Sequence, residues 1–126
     1  MAITYTISRE ARLVKAFATG ITRAADLHGL INSLLADPNM GPGLRGLYDA
    51  RYAEPDITIM EIAEVAGEVR QLQNRGLERV AIVAQSQTTY RVAKTFSIIA
   101  RAIGIDVDVF KDLAPAEAWL DERDDS

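Results

Sequence analysis

Hydrophobic and polar residues alternate along this chain with two periods, one typical of strands and one typical of helices. Ile3, Tyr5 and Ile7 alternate with polar residues, which predicts a half-buried strand, and a second strand is predicted over residues 13–19. Because only a short charged turn around Arg9 and Glu10 separates the two runs, we expect them to form an antiparallel hairpin.

The next segment has the period of a helix. Its apolar face consists of Leu27, Leu30, Ile31, Leu34 and Leu35. We expect Thr22 to cap this helix and Pro38 to end it, because proline disfavours a helical conformation in the residue before it. The predicted first helix spans about residues 23–36, and a third strand is predicted over residues 44–50, after a Gly/Pro loop.

A second helix is predicted to begin at Thr58, because Thr58 and Glu61 have the spacing of a capping box, and to end at Gly76. Its buried stripe is predicted to consist of Ile59, Ile62, Ala63, Ala66 and Val69. The acidic residues Glu61, Glu64 and Glu68 would lie on another face, as is typical of a solvated helix surface rather than a metal site.

The clearest pattern lies between residues 80 and 110. An apolar run over residues 80–84 is followed by a polar segment, a helical period that ends near Ile103 and Gly104, and an alternating run over residues 105–110. A strand, a helix and a strand in this order indicate a right-handed crossover in a parallel sheet. Pro115 suits the first turn of a last helix that Trp119 and Leu120 would hold against the sheet, and the acidic tail after Leu120 is expected to fray.

The predicted order is β-β-α-β-α-β-α-β-α, which describes an α/β protein. We expect a mostly parallel five-stranded sheet with an antiparallel N-terminal strand and four helices. A chain of 126 residues with 48% hydrophobic residues is suited to one domain over residues 1–126.

Composition narrows the function classes. The chain has no cysteine and a single histidine, so neither a disulfide, a zinc centre nor another metal or cofactor site is expected. A net charge of -4 argues against nucleic-acid binding, because it would repel a phosphate backbone. No apolar stretch approaches the roughly 20 residues of a membrane-spanning helix, so we expect a cytoplasmic protein without a transmembrane segment.

Five segments together indicate a known fold. They are Phe17-Ala18-Thr19-Gly20, Leu34-Leu35-Ala36-Asp37-Pro38, residues 44–51, residues 80–84, and residues 109–113 followed by Glu117-Ala118-Trp119-Leu120. Through them nearly the whole chain resembles the SpoIIAA-like, STAS-related domain family. The resemblance implies a β-α superhelix and a non-enzymatic module, which binds a protein partner or a small apolar or anionic ligand.

The resemblance also draws attention to Thr58. In phospho-switch members of the wider family, a serine begins the helix after the third strand, and its phosphorylation blocks a kinase-like partner. The typical Asp-Ser-Ser-Gly segment is absent here, and Thr58 is the hydroxyl at the comparable place. We favour a structural N-cap role for Thr58, because Glu54, Asp56 and Glu61 would repel a phosphate.

Ligands of open α/β sheets bind at the carboxyl ends of parallel strands. The candidate ligand-binding residues are Asp49, Arg51 and Tyr52 after the third strand, Gln85, Ser86, Thr88 and Tyr90 after the fourth, and Lys111 after the fifth. Hydroxyls and helix N–H groups there could hold a carboxylate or phosphate, with Arg51 or Lys111 adding charge. The plainer interpretation, which we favour, is that Ser86 or Thr88 caps a helix and that Asp49 pairs with Arg51.

Three other features have structural interpretations. Residues 41–46 match G-x-G-x-x-G, but they precede a strand instead of joining a strand to a helix, so we expect a turn. Asp106 and Asp108 are expected to protect an edge strand rather than to act as an acid/base pair. His28 is expected at the surface or at its boundary, without a partner acid or nucleophile that sequence spacing can identify.

The preferred function is therefore a binding or interaction module with no catalytic residue, and an exposed aromatic side chain would support it. The first alternative is a small enzyme or carrier for an anionic or apolar metabolite, with Asp49 as a base whose pKa would have to be raised. The second alternative is a homodimer, which an exposed apolar patch on the second or third helix would favour.

Overall fold

The computed structural model describes residues 2–122, so the predicted fraying beyond Glu122 falls outside the described residues. One sheet has the strand order β1-β2-β3-β4-β5, and β1 is antiparallel to β2 while the other neighbours are parallel. The strands are β1 Ala2–Ser8, β2 Leu13–Arg23, β3 Leu44–Asp56, β4 Leu77–Val83 and β5 Val107–Phe110. The helices are α1 Ala24–Ala36, α2 Ile59–Asn74, α3 Gln87–Ala102 and α4 Leu113–Asp121. The predicted fold class is confirmed.

Successive residues of β4 point to opposite faces of the sheet, and both faces are covered. Ile82 packs with Ala93 of α3 on one face, whereas Ala81 and Val83 pack with α4 on the other. The helices α1, α2 and α3 form one layer, and α4 is held on the opposite face by Leu120 and Trp119, as predicted. The Trp119 ring contacts the Phe110 ring, with 5.6 Å between centroids.

Strands β2 and β3 are longer than predicted, and both continue until Arg23 pairs with Asp56. The last residue of β4 pairs with Asp49, so beyond that level β3 has only β2 as a parallel neighbour. Pro55 is tolerated there because an edge strand does not need every backbone N–H for a ladder. An ion pair of 3.3 Å between Arg23 Nε and Asp56 Oδ2 closes the extension.

The predicted cap of α1 is wrong, because β2 continues through the position assigned to it. Arg23 is the N-cap residue, and its backbone N–H donates to the Asp26 carboxylate at 2.8 Å. Thr22 is buried in the strand, where its hydroxyl donates to the Gly20 carbonyl at 3.2 Å.

The capping box of α2 is confirmed. The Glu61 N–H donates to Thr58 Oγ1 at 3.2 Å, and the Thr58 N–H donates to Glu61 Oε1 at 2.9 Å. The bond from the Thr58 N–H holds the pKa of the Glu61 carboxyl below its ordinary value.

The buried stripe of α2 is partly different from the prediction. Its buried residues are Ile62, Val65, Ala66 and Leu72, and Val69 is half-buried. Ile59 and Ala63 are exposed, because they lie to one side of this stripe.

The Gly/Pro loop before β3 forms a turn, as predicted, and it packs against the end of α2. The Gly43 N–H donates to the Gly76 carbonyl at 3.2 Å, and both glycines have positive φ angles. Among residues 2–122, no helix combines the length and the apolar character needed to cross a bilayer.

Candidate functional site

An apolar cavity of about 170 Å³ lies between the sheet and the layer formed by α1, α2 and α3. Its floor includes small residues of the strands, Ala16, Gly46 and Ala50, and its roof includes Leu34 of α1 and Val65 of α2. Small side chains on the sheet leave space that the larger side chains of the helices do not fill. None of the described residues that line this cavity is charged.

Three hydroxyl groups belong to the residues that line the cavity, those of Thr22, Tyr48 and Thr89. Thr22 donates to a strand carbonyl, as described above, and Thr89 Oγ1 donates to the Ala53 carbonyl at 3.0 Å. Burial raises the pKa of Tyr48, and the nearby charge of Asp26 adds to the rise, so its phenol stays neutral.

Asp49 of the predicted polar site lies on the face of β3 opposite to the cavity. Asp49, Arg51 and Tyr52 were expected to follow the third strand, but they lie inside β3 because it continues to Asp56. Asp49 is only 6% exposed, and the Arg51 guanidinium donates to both of its carboxylate oxygens, at 2.9 Å from Nε and 2.8 Å from the terminal nitrogen. The favoured pairing of Asp49 with Arg51 is therefore confirmed.

The ionisation of Asp49 does not fit the role of a base. Burial raises the pKa of Asp49. Hydrogen bonds from the side chain and backbone of Arg51, together with the charges of Arg51 and Lys15, lower it by more than burial raises it. The net effect is a pKa below the ordinary value, whereas the enzyme alternative requires a raised one.

Asp49→Asn is expected to lower the free energy of unfolding at neutral pH by about 2 kcal/mol, since it removes a charged partner of a buried pair. The folded-state pKa of Asp49 is lowered, so the carboxylate stabilises the protein above its unfolded-state pKa. This contribution is lost as the pH falls through the folded-state value. Urea denaturation of both proteins between neutral pH and pH 3 measures it, and a difference that stays constant across this range would contradict the assignment.

At the N-terminus of α3, Ser86 is confirmed as the N-cap. The Thr89 N–H donates to Ser86 Oγ at 3.2 Å, and this hydroxyl in turn donates to Thr89 Oγ1 at 2.8 Å. Gln85 and Thr88 beside it are exposed.

We call the eight candidate ligand-binding residues predicted at the carboxyl ends of the strands the rim residues. Four of them form two separate contacts between a cation and an aromatic ring. The Lys111 ammonium lies 5.3 Å from the centroid of the Tyr90 ring, and the Arg51 guanidinium lies 5.4 Å from that of Tyr52. No hydrogen bond or ion pair among residues 2–122 joins these two contacts. Ligand binding by the eight rim residues and phosphorylation of Thr58 both stay predictions.

His28 is half-buried, as expected of a residue at the surface boundary, and its Nδ1 lies 2.6 Å from Glu68 Oε1, which joins α1 to α2. Asp106 and Asp108 both form ion pairs, at 3.0 Å with Arg79 and at 3.2 Å with Arg101. Asp108 lies in β5, which is an edge strand as predicted, and Asp106 directly precedes that strand. Among residues 2–122, no group of three or more potential ligand side chains could hold a metal ion.

An aromatic surface lies on the same sheet face as α4. Leu13 of β2 packs beside α4, so the alternation of β2 places Phe17 on that face, where it is 39% exposed. Its ring meets the ring of Tyr52, which is 59% exposed, edge-on at 6.0 Å. We call these two residues, together with Ile21, which is 46% exposed, the open-face patch.

The comparisons with known proteins identify the fold. No protein-family model matches the sequence, and no curated protein matches it either. An uncharacterized protein of the DUF3478 family with a SpoIIAA-like fold, from Shewanella loihica PV-4, is 20% identical over 94% of each chain, with a TM-score of 0.60. The unphosphorylated form of the anti-sigma factor antagonist SpoIIAA is 13% identical over 94% of each chain, with a TM-score of 0.52. The chain therefore has the SpoIIAA-like fold that its sequence resembles.

Proposed function

We propose that this chain is a non-enzymatic binding module that holds a small apolar molecule in the cavity between the sheet and the helices α1, α2 and α3. The observation that carries the proposal is the cavity itself, about 170 Å³ of space with no charged residue among its described lining. Protein interiors are close-packed, and an apolar cavity of about this size can accept a ligand such as benzene.

The cost of empty space explains why a ligand would bind. At about 24 cal/mol per Å³ of enclosed cavity, a volume of about 170 Å³ corresponds to at most about 4 kcal/mol of lost packing, because this cavity is partly open to solvent. A ligand of matching shape restores these dispersion contacts and is itself removed from water.

The polar rim supports an anionic ligand less well. Both carboxylate oxygens of Asp49 are occupied by Arg51, so this guanidinium is already paired. Ser86 Oγ is occupied as a cap, and its bond to Thr89 ties the start of α3 to the cavity wall. In the proposal the rim residues serve mainly to position this wall.

Benzene is the probe that tests the proposal. Its binding is monitored by amide shifts in two-dimensional NMR and by the midpoint of thermal unfolding. We expect saturable binding that shifts amides around the cavity and raises the midpoint. Ala93→Leu fills the cavity from α3 and should abolish this binding, because Ala93 is buried in its wall. The matched control is Ala102→Leu, since Ala102 is exposed on the same helix.

Three outcomes are informative. Binding by the unaltered protein and by the Ala102→Leu protein, but not by the Ala93→Leu protein, supports the proposal. Absence of benzene binding to the folded unaltered protein contradicts it. Binding that the Ala93→Leu protein retains in full contradicts the location of the site.

A second candidate function is self-association, which the open-face patch favours because large apolar side chains there face solvent. Exposed apolar side chains also occur on α2 and α3, at Ile59, Met60 and Ile98. Light scattering over a wide range of protein concentrations tests this function. A mass that rises with concentration and falls after Phe17→Ser supports it, and a concentration-independent monomer excludes it.

A further inference from the structure

Tyr48 differs from the other polar residues of the cavity wall. It lies in β3 and lines the cavity, and its side chain is mostly enclosed but keeps some accessible surface. Thr22 and Thr89 both donate to backbone carbonyls. Burial and the charge of Asp26 raise the pKa of Tyr48, with no hydrogen bond contributing, whereas at Tyr5 a bond to Asp37 Oδ2 at 2.7 Å is the main cause.

The Tyr48 hydroxyl must therefore reach open space. Within residues 2–122, every fully buried side-chain oxygen or nitrogen atom has a hydrogen-bond partner. The Tyr48 hydroxyl has no partner among these residues, so it cannot be fully buried. Because Tyr48 lines the cavity, a hydrogen-bond partner for its hydroxyl can come from a molecule bound there.

We propose that the Tyr48 hydroxyl is the polar anchor of the cavity, and that the ligand is an uncharged apolar molecule carrying one hydrogen-bond acceptor, such as a ketone, ester or ether oxygen. This inference rests on the proposed function. An unpaired hydroxyl in an apolar site costs free energy, and an acceptor on the ligand offsets that cost.

The surroundings of Tyr48 exclude an anionic ligand group. No described residue of the lining is a cation that could pair with a carboxylate. The acid whose charge acts on Tyr48 is Asp26, and this charge would repel an anion. A buried charge without a partner is far more costly than a buried neutral acceptor.

The experiment uses three probes with equal numbers of non-hydrogen atoms, which are isopropylbenzene, acetophenone and benzoate. Their affinities are measured by NMR titration for the unaltered protein and for Tyr48→Phe, which keeps the ring. We expect the preference for acetophenone over isopropylbenzene to fall about fivefold in Tyr48→Phe, the loss of one hydrogen bond. Benzoate should bind at least about tenfold more weakly than acetophenone. The control Tyr5→Phe removes a tyrosine hydroxyl that lies outside the cavity wall.

The results separate the two proposals. If isopropylbenzene binds but Tyr48→Phe keeps the full preference for acetophenone, the anchor is wrong and the apolar site stands. If benzoate binds as well as acetophenone, the restriction to uncharged ligands is wrong. If none of the probes binds the folded unaltered protein, the apolar site and the anchor are both wrong.

Discussion

Gly76→Ala is expected to lower the free energy of unfolding by about 4 kcal/mol or to prevent folding altogether. Gly76 has a φ angle of +116°, and a Cβ atom built on it would lie 2.4 Å from the Cα of Pro42 and 2.6 Å from the carbonyl carbon of Gly41. Because these neighbours are backbone atoms, they cannot move aside as the end of a flexible side chain can. The substitution would separate the loop before β3 from the end of α2.

Gly104→Ala is the matched control, because Gly104 also has a positive φ angle, +89°, but open space where the Cβ atom would be. It should cost only about 1–2 kcal/mol, the penalty for a left-handed conformation. Urea denaturation monitored by circular dichroism measures both variants. Equal losses of stability in the two variants would show that contact with the Pro42 loop is not the cause.

The same glycine shows why the order of elements is readable from this sequence. Gly76 and Gly104 end helices whose apolar residues recur with a helical period, and short apolar strands follow each of them. The capping box at Thr58 marks the start of α2 equally clearly. Such signals are local, so they do not require knowledge of the neighbours in space.

Errors arose where neighbouring strands decide the outcome. Pro55 and Asp56 are typical of a turn, but they extend β3 because β2 is available as a partner over the same length. The prediction also ended β2 too early, and it therefore assigned Thr22 as a helix cap instead of a strand residue. The ends of a strand depend on the neighbouring strand with which it pairs, and the sequence of one strand does not reveal how far that pairing extends.

In the candidate site too, features set by residues close in sequence were predicted, and features set by neighbours in space were missed. The pairing of Asp49 with Arg51 and the cap at Ser86 involve residues close in sequence, and both were predicted. The cavity depends on how three helices lie across the sheet, so no single segment predicts it. One signal was available, because the alternation of β2 and β3 places the small residues Ala16, Gly46 and Ala50 on the same face of the sheet. Glu68 was missed as the partner of His28 because the two lie on different helices.

Leu34→Ala is expected to destabilise the ligand-free protein by about 3 kcal/mol and to change the size of ligand that it prefers. Leu34 is 5% exposed on α1 and lines the cavity, so truncation enlarges the space already present. The unaltered protein should prefer benzene, and the variant should prefer isobutylbenzene. At a free ligand concentration of a hundred times Kd, the bound ligand should restore about 2.7 kcal/mol.

Leu120→Ala is the control that separates a general loss of stability from a change in the cavity. Leu120 is 3% exposed on α4, on the opposite face of the sheet and outside the cavity wall. Its truncation should cost a similar free energy of unfolding, but it should leave the preference for benzene as in the unaltered protein. Thermal unfolding with each ligand measures both quantities. If both variants lose stability and neither changes its preference, the ligand does not occupy the space beside Leu34, and the cavity is not the binding site.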